Sequence, residues 1–382
     1  MDPAVIGARL ASSVVAPLIK KLFAQEAPGA GLADKPVRIA SLVSFRGEKR
    51  TLTEKDLRKL ATTLVEHAVR DAGPGERPVH HRIPGGPSVA LRTLITERQR
   101  RLGAELKKLR VQAGLSIADG GKLIGMGAPH LSHIEAGRTA IPTDRLRALV
   151  DAYGCKNEPY IDELISMAES SGKGWWSAYR KSFPQFTLDL AELESRAIHM
   201  QSHETLLIPG LLQTESYMRA LFRSSLPDAS QDEIETAVCF RLARQDILAS
   251  PSMTFHAVIH EAALRISVGG PHVMRGQLAH LIRAAERPGT EVQILPFESG
   301  ARAWFGTPFL ILGPGVPGLE TVVLEHPVES LRLDDDKSIA HYGKTFEGLS
   351  KSALPSVVTD ESPDRHEKRD SWGLIQHILY TY

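Results

Sequence analysis

LSIADGGKLIGMGAPHLSHIEAG, running from Leu115 to Gly137, is the stretch whose reading decides the fold of this chain. It reads as a short helix, a glycine-containing turn and a second short helix. Leu123 and Ile124 end the first helix on its apolar side. Gly125 stands where a tight turn requires positive φ, which glycine reaches without a Cβ clash. Leu131 and Ile134 are three apart and so face inward together, and Gly137 closes the second helix.

The flanks extend this unit. Upstream, Leu102, Leu106 and Leu109 mark one face of a helix, and Arg98, Arg100, Arg101, Lys107, Lys108 and Arg110 occupy its other face. Downstream, Pro142 opens a helix whose apolar stripe is Leu146, Leu149, Val150 and Tyr153. The expectation is a bundle of about five helices between Ile95 and Ala168. Two short helices joined by a three- or four-residue turn form a helix-turn-helix, whose second helix can lie in a DNA major groove.

On Leu115-Ser116, Leu123-Ile124-Gly125 and Leu131-Ser132-His133-Ile134-Glu135-Ala136-Gly137-Arg138, the chain resembles the Xre/Cro-type helix-turn-helix family. The resemblance implies base reading by the first turns of the second helix, here Ala128, Pro129, His130 and His133. The sequence departs from the family pattern at Ile117, at Gly120-Gly121 in place of two alanines, and at Ala128-Pro129 in place of polar residues. Each mid-helix glycine costs about 1 kcal/mol of propensity, and the tip has few groups that hydrogen-bond base edges. The bland alternative is a helix-turn-helix kept for packing or dimerisation.

At 382 residues the chain should hold two or three domains. With 42% hydrophobic and 24% charged residues, it can bury real cores. A net charge of +1 gives no bulk attraction to phosphate, so nucleic-acid affinity must come from local basic patches. Cys155 and Cys239 lack paired spacing, which argues against a disulfide framework or a zinc site and for buried free thiols. There is no basic leader followed by an apolar run, and no apolar stretch approaches 18 residues, so a cytoplasmic protein without a membrane span is expected.

Residues 1–72 read as an all-α N-terminal helical domain, with 37–45 ambiguous between strand and short helix. Its GAGLADKPVRIASLVSFRGEKRTLTEKDLRKLA segment resembles the small helical domains that precede NACHT-type NTPase modules, which implies an interaction or effector-coupling module. The phosphate-binding G-x-x-x-x-G-K-[ST] pattern is absent, so nucleotide hydrolysis is not carried over. Residues 73–93 are rich in proline and glycine and read as a linker, with the helix-turn-helix domain over 94–170. His80-His81 in the linker has no further ligand nearby.

Residues 171–355 read as an α+β domain. Trp175, Trp176, Tyr179, Phe183 and Phe186 cluster aromatics that suit packing between units better than a cofactor box. Helices are expected near 188–200, 213–224 and 231–249, the last buried along Ile234, Val238 and Leu242 with Arg241 and Arg244 near its edge. The period then changes. Strands at 254–260 and 291–297 flank a helix at 272–286, which suggests a parallel pair. Strands at 309–313 and 321–325 read as a hairpin, and a helix near 337–350 follows. In the tail, 356–382, a charged run precedes a helix in which Trp372, Ile375 and Leu379 either dock back or capture a partner.

Ile208-Pro209-Gly210-Leu211-Leu212-Gln213-Thr214 with Tyr217, Arg241, Arg244-Gln245, Glu261-Ala262-Ala263-Leu264-Arg265, Gly269-Gly270, Met274, Gln277-Leu278 and Ile294-Leu295-Pro296-Phe297 carry a second resemblance. It is to the C-terminal domain of actinobacterial helix-turn-helix regulators of the WhiJ type, described as antitoxin-like. The resemblance implies a small acidic partner protein engaged by this domain.

Catalytic patterns are sparse: H-E-x-x-H and G-x-S-x-G are both missing. His260-Glu261 and Glu325-His326 could form an acid–base or metal cluster if their strand ends meet, although local hydrogen bonds are the commoner fate of such pairs. Arg241, Arg244 and Arg265 could bind an anion or an acidic protein segment, or form internal salt bridges. The expectation is a DNA-binding regulator, dimeric, without enzymatic activity, cofactor or metal. In it Arg110, Lys122 and Arg138 hold phosphates while Ala128, His130 and His133 face the groove. The rival is an interaction adaptor of a bacterial conflict system in which the helix-turn-helix no longer binds DNA.

Overall fold

The computed structural model describes residue 92 and residues 95–304, 307–325, 330–358 and 369–382. The expectations for the N-terminal helical domain at 1–72, for the linker apart from Arg92, for His326 and for most of the charged run of the tail lie outside the described residues. Contacts divide the chain into a unit Met1–Gly85 and a unit Gly86–Tyr382. The description below concerns the second, which combines an all-α bundle with an α+β domain.

Five helices form the bundle: α1 (Glu97–Gln112), α2 (Ile117–Leu123), α3 (Ala128–Glu135), α4 (Thr143–Ala152) and α5 (Glu158–Glu169). Thr96 opens α1 with a capping box to Gln99, and Ser116 caps α2 by accepting from the Asp119 N–H. Leu106, Leu131, Leu146, Leu149, Ile161 and Leu164 are fully buried and fill the centre. Gly125 has φ of 66° and Gly137 of 72°, as the turn and the helix stop demand.

Leu123 departs from expectation, with 51% of its surface exposed. The inward positions of α2 belong to Gly120 and Gly121, and Ile124 takes up the apolar contact one residue later. The two glycines are required by close packing. A Cβ on Gly120 would lie 2.7 Å from the Tyr153 hydroxyl, and one on Gly121 would lie 2.5 Å from the Met126 carbonyl oxygen. The propensity cost of the pair is thus offset by a tight approach between α2, its turn and α4.

The α+β domain opens with a 3-10 turn, Trp175–Tyr179, and α6 (Gln185–Glu194). Trp175, Tyr179 and Phe183 pack around Phe240, with ring centroids 4.6 to 5.2 Å away, so the aromatic run serves packing. A six-stranded mixed sheet follows in the order β3-β2-β1-β4-β5-β6. Its strands are β1 (His199–Glu204), β2 (Thr254–His260), β3 (Thr290–Leu295), β4 (Phe309–Gly313), β5 (Thr321–Leu324) and β6 (Leu331–Leu333). The β1–β2 and β2–β3 pairs are parallel and the remaining pairs antiparallel. Helices α7 (Glu215–Ser225), α8 (Gln231–Gln245), α9 (Glu261–Arg265), α10 (Pro271–Ala285), α11 (Asp336–Ser352) and α12 (Ser371–Thr381) complete the unit.

Strand alternation divides the core in two. Met200, Phe255, Ala257, Ile259, Val292, Ile294, Leu312 and Val323 face α10 and α12, whereas Val258, Phe309, Ile311 and Val322 face Phe346 and Leu349 of α11. The tail helix docks: Leu374, Ile375 and Ile378 are buried in the first of these cores. The outer edge of β3 is covered by the chain itself. Leu354 N–H donates to Ile294 O at 2.9 Å, Val357 N–H to Val292 O at 2.9 Å, and Ile294 N–H donates to Ser371 Oγ at 2.8 Å.

The bundle and the sheet share one interface. Leu319, from the β4–β5 connection, is 3% exposed and belongs to the core of the bundle. Arg101 reaches from α1 to donate to Gly318 O at 2.8 Å and Glu320 O at 3.0 Å. Arg332 on β6 donates to Phe186 O at 2.8 Å and pairs with Glu97 at 3.3 Å.

Candidate nucleic-acid interface

Helix α3 is the element that a helix-turn-helix would present to DNA. Gly127 is its N-cap, with Ala128 and Pro129 in the first turn. Leu131 and Ile134 anchor its inner face at 0% and 2% exposure. Its outer face stays open: Pro129, Ser132 and Ala136 are exposed, and Ala128, His130 and His133 are half-buried. The axis is held from behind by α1. Gly103 lies so close to the Glu135 carbonyl oxygen that a Cβ there would collide with it.

The predicted phosphate ligands fall into two groups. Lys122 is exposed, its amino group 3.6 Å from Asp119, and Arg138 is exposed with no side-chain partner among the described residues. Arg110 is different. Its Nε and Nη2 donate to the two carboxylate oxygens of Glu135 at 2.6 and 2.9 Å, and its Nη1 donates to Leu115 O at 2.7 Å. With 8% of its surface exposed it cannot hold a phosphate. Its hydrogen bonds to Glu135 hold its guanidinium above its ordinary range, and it ties α1 to the end of α3.

Half of the basic face expected on α1 is turned inward, at Arg98, Arg101 and Arg110, while Arg100, Lys107 and Lys108 keep contact with solvent. Arg98 pairs with Glu163 and donates to Ser166, Arg100 pairs with Glu97, Arg101 with Glu105, and Lys108 with Asp336. Lys107 alone of the six remains exposed without a partner among the described residues. Guanidiniums removed from water need carboxylates or carbonyls: Arg98 and Arg110 find carboxylates within the bundle, and Arg101 finds carbonyls across the interface with the sheet domain. Ser132, exposed midway along α3, is an outward-facing hydroxyl that the sequence reading passed over, although its spacing from Leu131 places it outward.

The three arginines proposed for partner contact are not brought together as one open patch. Arg244 is clamped by Glu194 through two 2.7 Å hydrogen bonds. Arg265 pairs with Glu261 at 2.7 Å and is 41% exposed in its side chain. Arg241 donates to Gln213 Oε1 at 2.6 Å and lies 4.5 Å over the Phe222 ring. Burial pulls its guanidinium down to about 10. Leu242, expected in the buried stripe of α8, is 37% exposed. Phe240 takes an inward place, while Arg241 and Arg244 turn toward the polar end of β1, where burial and then Glu325 push the Glu204 carboxyl up to about 8.

The motif residues around them lace one loop into place. Gln213 Nε2 donates to Ile208 O, Gln245 Nε2 to Gly210 O and Gln213 O, and Gln277 Nε2 to Leu212 O while its Oε1 accepts from Thr214 N–H. His260 and Glu261 are likewise committed locally. His260 Nδ1 accepts from the Ala262 N–H, and Glu261 accepts from the Phe297 N–H besides its pair with Arg265. Among the described residues there is no group of three His, Cys, Asp or Glu that could hold a metal ion. No helix among them is long and apolar enough to cross a membrane.

Three family models match parts of the chain. Residues 101–164 match a family described as Helix-turn-helix domain, and residues 7–111 match one described as NACHT N-terminal Helical domain 1. Residues 187–361 match one described as Domain of unknown function (DUF5753). No curated protein and no solved structure matches the chain. The chain thus carries a helix-turn-helix domain and a NACHT-type N-terminal helical domain, whose matches overlap at 101–111 within α1, followed by a domain family to which no activity is attached.

Proposed function

We propose that the protein is a DNA-binding transcriptional regulator of the antitoxin-like kind, acting in the cytoplasm as a homodimer on two half-sites. The observation that supports this most is the open outer face of α3, uncovered while the back of the same bundle is joined to the sheet domain. Lys122 and Arg138 supply phosphate contacts at its flanks; Ser132, His130 and His133 face the groove. The α+β domain takes the regulatory input from a small acidic partner protein, with exposed Arg265 as a contact. The local commitment of His260 and Glu261 supports a binding protein rather than an enzyme.

A second reading, an adaptor with a helix-turn-helix that does not bind DNA, is favoured by the burial of Arg98, Arg101 and Arg110 on α1 and by Ala128-Pro129 at the tip. A gel-shift titration on the gene's own promoter, repeated at several salt concentrations, separates the two. Binding that resists competition by random DNA and weakens steeply with salt is the regulator's result. Absence of a shift, or equal binding to random DNA, assigns the adaptor.

A further inference from the structure

Several arginines of the α+β domain are committed to carboxylates: Arg219 to Glu235, Arg244 to Glu194 and Arg332 to Glu97. Helix α10 differs. Its sequence, PHVMRGQLAHLIRAA, contains no aspartate or glutamate. Arg275 and Arg283 on it, and Arg287 just past its end, are exposed and have no side-chain partner among the described residues. Arg283 points away from the buried Met274, Leu278 and Leu281, and Arg275 stands on the shoulder of that outward face. Glu286, the C-cap, is exposed and pairs with none of them. The positive field is local: burial and then the charges of Arg287 and Arg283 hold the His280 imidazole below its ordinary range. The row from Arg275 to Arg287 is about 18 Å long, and exposed Gly276 leaves open space within it. The face also has an apolar border. Helix α12 packs along α10, and the Tyr382 hydroxyl donates to Leu264 O at 3.2 Å, which brings the end of α12 to the end of α9. There Tyr380 is 83% exposed and Ile266 38%.

We propose that the outer face of α10 docks an acidic helical segment of another protein, its carboxylates meeting Arg275, Arg283 and Arg287 and an apolar side chain packing on Tyr380 and Ile266. Arginine beside exposed aromatic and aliphatic surface is the composition of a protein interface. The backbone of a DNA duplex would use the arginines but gain nothing from Tyr380 or Ile266. The open space at Gly276 lets a second helix approach the middle of the row. That this contact carries the regulatory input rests on the reading above; the contact itself does not, and its test needs no operator.

Fluorescence anisotropy of the full chain with a labelled helical peptide of about 16 residues, glutamates on one face and leucines at its border, tests the surface. Arg275→Gln with Arg283→Gln and Arg287→Gln should weaken binding about tenfold. Lys337→Gln with Lys344→Gln and Lys351→Gln removes the same charge from α11 and should leave the affinity within about twofold. Tyr380→Ser should weaken binding about fivefold. All these positions are exposed, so the fold is retained. The same peptide with lysines in place of glutamates should not bind. The proposal is overturned by no binding of the acidic peptide, by equal losses in the arginine and lysine variants, or by an unaltered affinity in Tyr380→Ser. A random DNA duplex that loses as much affinity as the peptide in the arginine variant would also overturn it and assign α10 to nucleic acid.

Discussion

Replacing Arg110 with methionine separates two roles for one side chain. As a phosphate ligand it would contribute to DNA affinity and little to stability; as the buried partner of Glu135 it does the reverse. Methionine keeps the bulk of the stem but removes three hydrogen bonds, two of them to a carboxylate. The Glu135 side chain is 5% exposed, so its charge would be left without that partner. Breaking a buried pair in this way costs about 3–5 kcal/mol. The expected loss is therefore about 3–5 kcal/mol. Urea unfolding followed by far-ultraviolet circular dichroism measures it. The salt dependence of DNA binding, taken where the variant is folded, should be unchanged. A variant of native stability whose log–log salt slope drops by about 0.9 would refute the argument and restore Arg110 as a phosphate contact.

Lys122→Gln with Arg138→Gln should lower that salt slope by about 1.8 while leaving the unfolding midpoint in place; weaker binding at an unaltered slope would count against both contacts. Gly121→Ala gains about 1 kcal/mol of helix propensity but sets a Cβ 2.5 Å from the Met126 carbonyl oxygen, so a net loss of about 1–2 kcal/mol is expected. A more stable variant in urea would show that the α2 turn yields. Glu204 keeps a proton in the folded chain that the unfolded chain releases, its carboxyl standing at about 8. Stability should therefore fall as pH rises from about 4.5 to 8, by up to about 1.4 kcal/mol per unit from this group. Glu204→Gln should flatten that slope, and an identical slope in the variant would contradict the assignment.

The bundle was readable because its signals are local. Gly125, Gly137 and the Leu131/Ile134 pair each report on a few neighbouring residues, and the structure uses them as read. Strands β2 to β5 were visible through alternation and turn residues. The first strand was not: HMQSHE has a single apolar residue, Met200, yet it lies at the centre of the sheet and pairs with β2 and β4. A central strand so polar gives no period to detect, so the preceding helix was drawn through its start. The three-residue β6 was too short to leave a pattern. At the candidate site, exposure was the hidden variable. Lys122 and Arg138 were legible as cations, as were Arg98, Arg101 and Arg110. Only the long-range arrival of Glu135, Glu163 and the Gly318–Glu320 carbonyls distinguishes a solvated cation from a structural one. Leu319 makes the same point, a loop residue by sequence that completes the core of another module.

Strand β3 terminates its sheet without offering a free ladder, since the backbone at Leu354 and Val357 and the hydroxyl of Ser371 already occupy its outward groups. Those three residues lie beyond α11, in the portion most readily trimmed from an expression clone. A chain cut after Ser352 would retain all six strands but bare an apolar rim able to recruit the same strand of a neighbour. Recombinant fragments ending there would precipitate or grow by edge pairing, whereas those carrying the last helix would stay monodisperse.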